Sequence, residues 1–420
     1  MRHSYFLLWI FTGFLVSVLV SGCNDRARTN PFDPHNGDIT SNPLNLRLSS
    51  DTKAVYLDWN RSDSPDLTGY NVYRSHVGDS LRLAKALPDS VTSYVDQDIV
   101  LNTTYVYTLT VRGEEDETPF TAFDTITPGP TRWWVLSVGY NNLSQFSHDG
   151  LHLYTSYNAY ASPELLVAPA YQEYLYTYDL FNGTLYRHIP GDTPTALKTD
   201  IYNVVDMLYS DKDRVLYFLK NNGNVAVFDI QSNTIRTKSF PEPITAGVVS
   251  QTAFLWVGVR DSLYGLDVTT FTDQMVTALP DGQRISSLAS DENNTVYIGA
   301  GNANMIYTWI DGELDTLISD IPYPRQMEFN DHDHSLWVLS YSDAENPYEV
   351  YRYDGDVIQR MYRGGKKVYD IAVNPVSDVC LLAEYSAGTI IQIAPDGKRR
   401  YNHDFPGKGY RIVVQRVENM

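Results

Sequence analysis

Residues 204–240 read VVDMLYSDKDRVLYFLKNNGNVAVFDIQSNTIRTKSF. Four runs rich in apolar and β-branched residues, Val204–Tyr209, Arg214–Leu219, Asn224–Ile230 and Thr234–Phe240, are separated by short polar turns such as Ser210-Asp-Lys-Asp213. Asp and Asn suit such turns because they tolerate turn dihedrals and bond their own backbone two residues on. Runs of this length between such turns predict four consecutive antiparallel strands. A four-stranded unit that is apolar on both faces cannot bury them alone, so it requires neighbours on either side.

The neighbours are present as repeats. The turn marker recurs at Ser147-His-Asp-Gly150, Ser210, Ser250-Gln-Thr, Ser290-Asp-Glu-Asn293, Asn330-Asp-His-Asp333 and Asn374-Pro-Val-Ser-Asp378, with spacings of 63, 40, 40, 40 and 44 residues. A second marker, a strand ending in Asp, keeps step at Asp179, Asp229, Asp267, Asp311, Asp354 and Asp396. A period of about 42 residues with four short strands per repeat is the signature of a β-propeller. The reading is therefore all-β, with a propeller over 131–420. Six blades are preferred. The orphan strands Trp133–Val138 and Tyr410–Val417 either close the ring by pairing the chain ends or form a composite seventh blade. The region resembles NHL-like and WD-repeat-like propellers; no Trp-Asp dipeptide recurs, so the resemblance is one of architecture.

Upstream of the Thr127-Pro-Gly-Pro130 hinge, residues 44–127 carry about seven short strand patterns, among them Leu44–Leu48, Val55–Trp59, Gly69–Arg74 and Thr104–Val111. In the last, Tyr105, Tyr107, Leu109 and Val111 share one face. This is the pattern of a small antiparallel sandwich. It resembles a fibronectin type III domain, with Trp59 as the core tryptophan, Gly69-Tyr-Asn-Val-Tyr-Arg74 as the third strand and Tyr105 as the tyrosine corner. The resemblance implies a spacer.

The N-terminus reads as an address. Arg2 and His3 precede an uncharged run, Tyr5–Val20, that is short for a bilayer span but suits a signal peptide over 1–22. Leu19-Val-Ser-Gly-Cys23 resembles the lipobox of bacterial lipoproteins, which implies acylation of Cys23 and cleavage before it. Multiple acyl chains anchor far better than one, at about 0.8 kcal/mol per buried CH₂. Residues 23–43 form a polar tether that includes Asn30-Pro-Phe-Asp-Pro34, a sequence similar to those following the lipidated cysteine of envelope lipoproteins. Asn24, where an Asp favours inner-membrane retention, leans toward the outer membrane.

Composition narrows the function. With 51 acidic against 32 basic residues, the formal charge of -19 argues against a nucleic-acid partner. Two cysteines, Cys23 and Cys380, exclude a disulfide framework and a Cys-rich zinc module. Propeller sites gather where the inner strands meet the channel. Counting four residues before each turn marker selects Leu143, Asp206, Ala246, Ser286, Gln326 and Asp370, with Tyr202, Arg284, Arg325 and Tyr369 nearby. Asp206, Arg284, Gln326 and Asp370 are the candidate channel-mouth residues. An insert at 157–172 with flanking tyrosines supplies a candidate recognition loop, Tyr160, Tyr171 and Tyr174. Asn330–His334 resembles a metal cluster but falls in a repeat turn, where its side chains point outward. No nucleophile elbow, P-loop, dinucleotide fingerprint or calcium loop occurs.

The expectation is a lipid-anchored protein of the bacterial envelope, outer membrane favoured. Its propeller binds an envelope protein, peptide or glycan, with no catalysis required and no metal or cofactor. The alternative is a metal-dependent hydrolase or lactonase of the kind that gluconolactonase-like propellers exemplify. It requires three oxygen ligands converging in the channel, and only Asp206 and Asp370 recur in register as acids.

Overall fold

The computed structural model describes residues 44–137, 141–158, 163–252, 254–342, 345, 347–385, 388–402 and 408–417. The expected signal, tether and Cys23 lie outside them. No α-helix occurs among the described residues, and no helix there is long and apolar enough to cross a membrane. The described residues fall into two compact units, one within 44–48, 57–95 and 104–125, the other within 49–56, 96–103 and 126–417.

The N-terminal strands form two sheets. Arg47–Ser50, Val55–Asp58 and Ser93–Asp96 make one; Arg82–Pro88, Gly69–His76, Tyr105–Arg112 and Asp124–Ile126 make the other, in those orders. Tyr105, Tyr107, Leu109 and Val111 are buried as the alternation predicts. Trp59 is buried edge-on to Tyr70, ring centroids 5.5 Å apart, so it is a core residue and offers no ligand platform. The Tyr70 hydroxyl accepts the Ser62 N–H at 2.9 Å, tying a tyrosine to backbone eight residues upstream.

Residues 131–416 build seven four-stranded antiparallel sheets among the described residues. In the repeat first quoted, the strands are Val204–Ser210, Val215–Lys220, Asn224–Asp229 and Thr234–Ser239, within a residue or two of the sequence expectation. Side chains of a strand alternate between faces, and here each face has its own neighbour. Tyr217, Leu219, Val225 and Val227 pack on Leu255 and Val257 of the following sheet. Leu216, Phe218, Ala226 and Phe228 pack on Tyr176, Tyr178 and Leu185 of the preceding one. Continuous burial along Val215–Leu219 follows from this sandwiching. The fourth strand, with the burial pattern of a sheet edge, alternates Ile235 inward with exposed Thr and Arg.

The Asp markers at 179, 229 and 267 are turn caps. One carboxylate oxygen accepts two successive backbone N–H groups at Asp179 (Phe181, Asn182), Asp229 (Gln231, Ser232) and Asp267 (Thr269, Thr270), all at 2.8–3.1 Å. These bonds hold the Asp229 and Asp267 carboxyls below the usual range.

The sheet containing Thr131–Ser137, Asn142–Phe146 and Leu153–Asn158 takes its remaining strand from the far end of the chain, Gly409–Arg416, with Val413 opposite Trp134 and Gln415 opposite Arg132. The two orphan strands thus pair with each other and complete one sheet more than the six preferred from the repeats. The first marker, Ser147–Gly150, explains the discrepancy. It lies between the third and fourth strands of its sheet, whereas Ser210, Ser250, Ser290, Asn330 and Asn374 follow the first strand of theirs. A different turn of the unit was counted, hence the spacing of 63.

Candidate functional site

The strands Leu165–Val167, Val204–Ser210, Ile244–Val249, Ile285–Ser290, Pro324–Asn330, Val368–Val373 and Gly409–Arg416 touch one another in a closed cycle. They surround a cavity of about 410 Å³ lined by Asp206, Ser286, Arg325, Gln326, Glu328 and Arg411, among others. All run in the same direction, so residues at their starts share one end of the cavity and residues at their ends share the other.

Side chains stitch the cycle together. Gln326 bonds both backbone groups of Ile371 on the next inner strand, donating to its carbonyl at 2.9 Å and accepting its N–H at 3.3 Å. Two residues on, Glu328 Oε2 accepts the Val373 N–H at 2.8 Å. Asp370 Oδ2 repeats the device one strand further, on the Ile412 N–H at 2.9 Å. Ser286 Oγ donates to the Pro324 carbonyl at 2.6 Å. Splayed inner strands leave backbone groups unpaired, and a buried unpaired N–H is costly. The recurrent polar residue at this register satisfies them.

Arg411 completes the site. Its Nη2 lies 3.7 Å from Asp206 Oδ1 and its Nη1 4.0 Å from Asp370 Oδ1. Burial works against the guanidinium charge, but the Asp370 and Asp206 carboxylates outweigh it and raise its pKa. Burial pushes Asp206 and Asp370 upward, and Arg411 opposes it in both. Among the described residues no cation pairs with Glu328; burial, reinforced by the Asp370 charge, pushes its carboxyl up to about 8. It is protonated near neutrality and unsuited to bind a cation there. Because this folded value lies above the ordinary 4.5, the Glu328 contribution to stability is complete below about 4.5 and is lost as pH rises through about 8.

The structure brings three of the four expected channel-mouth residues together and places the fourth apart from the cavity. Asp206 and Gln326 line the cavity, and Asp370 meets it through Arg411. Arg284 is exposed in the loop before Ile285, where its N–H donates to Asn302 Oδ1 and its carbonyl accepts from the Gly301 N–H, and it does not line the cavity. Leu143 is not on an inner strand; it is buried against Trp134 and Leu175, because the C-terminal strand takes the inner place in that sheet. For the same reason counting from turn markers could not reach Arg411, which no turn follows in register. Glu328 was legible as the residue two beyond Gln326 on the same strand face.

Of the recognition-loop tyrosines, Tyr160 lies outside the described residues. Tyr171 is exposed, and its N–H donates to the Arg416 carbonyl at 2.6 Å. Tyr174 is half-buried against Tyr176, centroids 5.4 Å apart, and its carbonyl accepts from Gln415. Tyr174 is therefore packing, and this part of the insert sits where the inner strands end, opposite Arg325. In the Asn330–His334 turn, His332 Nδ1 bonds Asp378 at 2.7 Å, and Asp333 bonds Arg352 and Ser335. These bonds direct His332 and Asp333 to different neighbours. Cys380 is buried, and burial pushes its thiol up. Among the described residues no group of three or more His, Cys, Asp or Glu side chains converges as a metal site would.

No family model and no curated protein matches the chain. Its fold is similar to solved structures at low identity. A protein from Desulfotomaculum acetoxidans gives a TM-score of 0.54 at 12% identity, covering 68% of this chain and 99% of that one. A catalytically inactive virginiamycin B lyase from Staphylococcus aureus, solved with quinupristin, gives 0.51 at 11%, covering 66% and 91%. The Cps50 (Swd1) β-propeller domain from Myceliophteria thermophila gives 0.50 at 9%, covering 61% and 91%. A β-propeller domain and a lyase thus share the architecture, and identities this low carry the fold alone.

Proposed function

We propose that the chain is a lipid-anchored envelope protein in which a fibronectin type III-like spacer presents a seven-bladed β-propeller, and that the propeller is a binding module. Seven four-stranded sheets and the closed cycle of inner strands support the blade number. The three-plus-four strand order of the N-terminal sheets, with its buried Trp59, supports the spacer. The Leu19–Cys23 run supports the anchor, with the outer membrane as its address. Membrane, envelope protein or glycan are the partners, and nucleic acid is not.

The observation that carries the binding reading is Arg411 between Asp206 and Asp370. A metal hydrolase needs oxygen ligands that converge on a cation. Here a guanidinium already occupies that place, Asp370 is bonded to backbone, and Glu328 is neutral near pH 7. The test is thermal unfolding with and without millimolar Ca²⁺, Mg²⁺, Mn²⁺ or Zn²⁺. A native metal site at 100 times its Kd adds about 2.7 kcal/mol and moves the midpoint by several degrees. The expected shift is nil. A shift abolished by Asp206→Ala or Asp370→Ala would make the hydrolase reading the correct one.

Cys23→Ala is expected to transfer the protein from the membrane fraction to the soluble fraction of cells, since two or more acyl chains are lost together. Retention of Cys23→Ala in membranes, with the signal intact, refutes the anchor.

A further inference from the structure

At the end of the cavity where the inner strands begin, three tyrosines pack ring to ring. Tyr369 and Tyr385 have centroids 4.8 Å apart, and Tyr369 and Tyr410 4.5 Å. Cations are seated on these rings. Lys367 Nζ lies 4.2 Å from the Tyr369 centroid and Arg325 Cζ 5.8 Å from it; Lys408 Nζ lies 5.2 Å from Tyr385. The ring quadrupole attracts each cation and restrains it. Lys367 and Lys408 are exposed. In a chain of net charge -19 this is a local reversal of sign. Further round the same end, Tyr202, Tyr323 and Tyr341 are 50%, 47% and 39% exposed. Tyr323 immediately precedes an inner strand, Tyr202 lies two residues before another, and Tyr341 ends the strand beside one, so phenol rings recur around the opening.

We infer that this rim binds an acidic oligosaccharide in which carboxylate-bearing sugars are separated by neutral ones. Exposed phenols offer an apolar face to the C–H side of a sugar ring and a polar tip to its hydroxyls. The tyrosine-seated cations meet the carboxylates in charge-assisted hydrogen bonds. Low charge density is required, because the overall negative field repels a dense polyanion such as nucleic acid. An acidic peptide satisfies the cations but does not match the flat apolar surface that the recurring phenol rings offer to sugar rings. This inference rests on the binding reading above and specifies its ligand.

The test is calorimetric titration of the full-length chain in non-ionic detergent with three probes: a half-methyl-esterified oligogalacturonate, the fully esterified oligomer, and poly-glutamate of similar length. The half-esterified oligomer is expected to bind. Full esterification and the double substitution Lys367→Ala/Lys408→Ala should each weaken it by about tenfold or more, the loss of one to two charge-assisted contacts. Lys367→Arg/Lys408→Arg should restore binding, and unchanged unfolding midpoints show that the variants are folded. Poly-glutamate binding as tightly as the half-esterified oligomer overturns the inference in favour of an acidic peptide. Oligosaccharide binding indifferent to the lysine substitutions overturns the assigned site while the binding reading stands, and no binding by any probe overturns the ligand class. Failure of the binding reading itself would show separately, as a metal-dependent unfolding midpoint.

Discussion

Arg411→Met should lower the thermal midpoint by roughly 3–6 °C at pH 7–8, and the loss should shrink as the pH falls toward 4. Methionine keeps much of the stem volume, so the change chiefly removes the charge shared by Asp206 and Asp370. Breaking a buried ion pair by deleting one partner costs about 3–5 kcal/mol, because the other charge stays behind. Arg411 is 27% and Asp206 41% exposed at the side chain, so solvent screens part of this; Asp370, at 5%, is screened little. About 2–3 kcal/mol remains, and each kcal/mol moves the midpoint of a unit of this size by about 1.5–2 °C. The sign with pH follows from linkage. Without Arg411, burial alone acts on the two carboxyls and raises their folded pKa further above the unfolded value. Stability from such groups is complete at low pH and is lost as pH rises through the folded pKa. The variant's deficit therefore opens with rising pH. A deficit of equal size at pH 5 and pH 8 would show that Arg411 matters by packing and not by charge.

Gln415→Leu should cost about 3–5 kcal/mol, a midpoint loss of roughly 5–10 °C, and should expose the segment 168–174 to protease. Gln415 is 1% exposed and serves both ends of its amide. Its Oε1 accepts from Arg132 Nε at 2.7 Å and Trp134 Nε1 at 2.9 Å; its Nε2 donates to the carbonyls of Pro169, Gln172 and Tyr174 at 2.7–3.2 Å. Leucine fills the space and satisfies none of these. Each orphaned buried group costs about 1–3 kcal/mol. Gln415→Glu is expected to do no better: it keeps the acceptor and sets a carboxylate oxygen against three carbonyls. A Leu variant within about 1 kcal/mol of the parent, measured by denaturant unfolding, would refute the hub. The same result would free the insert to be the recognition loop that its tyrosines suggested.

Much of the architecture was readable without coordinates, and for a local reason. Strand alternation, Asx caps and turn spacing are properties of neighbouring residues, so Val204–Ser210 through Thr234–Ser239 and the caps at Asp179, Asp229 and Asp267 could be placed from 204–240 and its repeats alone. Asp206, Gln326 and Asp370 were found because the inner strand keeps its register from repeat to repeat. Their roles were not found. Whether Gln326 meets a ligand or Ile371 depends on the spacing between adjacent inner strands, which only the closed cycle sets.

By itself, then, the sequence determined the all-β class, the four-stranded repeat and the positions of its turns, because those follow from short-range backbone preferences and the period of apolar residues. Only the tertiary structure decided that Gly409–Arg416 completes the sheet begun at Thr131, that Arg411 thereby enters a ring of carboxylates whose other members lie up to 205 residues away along the chain, and that Lys408 joins Lys367 on one aromatic rim. Ring closure is a long-range pairing, held by burial and by satisfied backbone groups across the seam, and no local pattern encodes which distant strand will supply it.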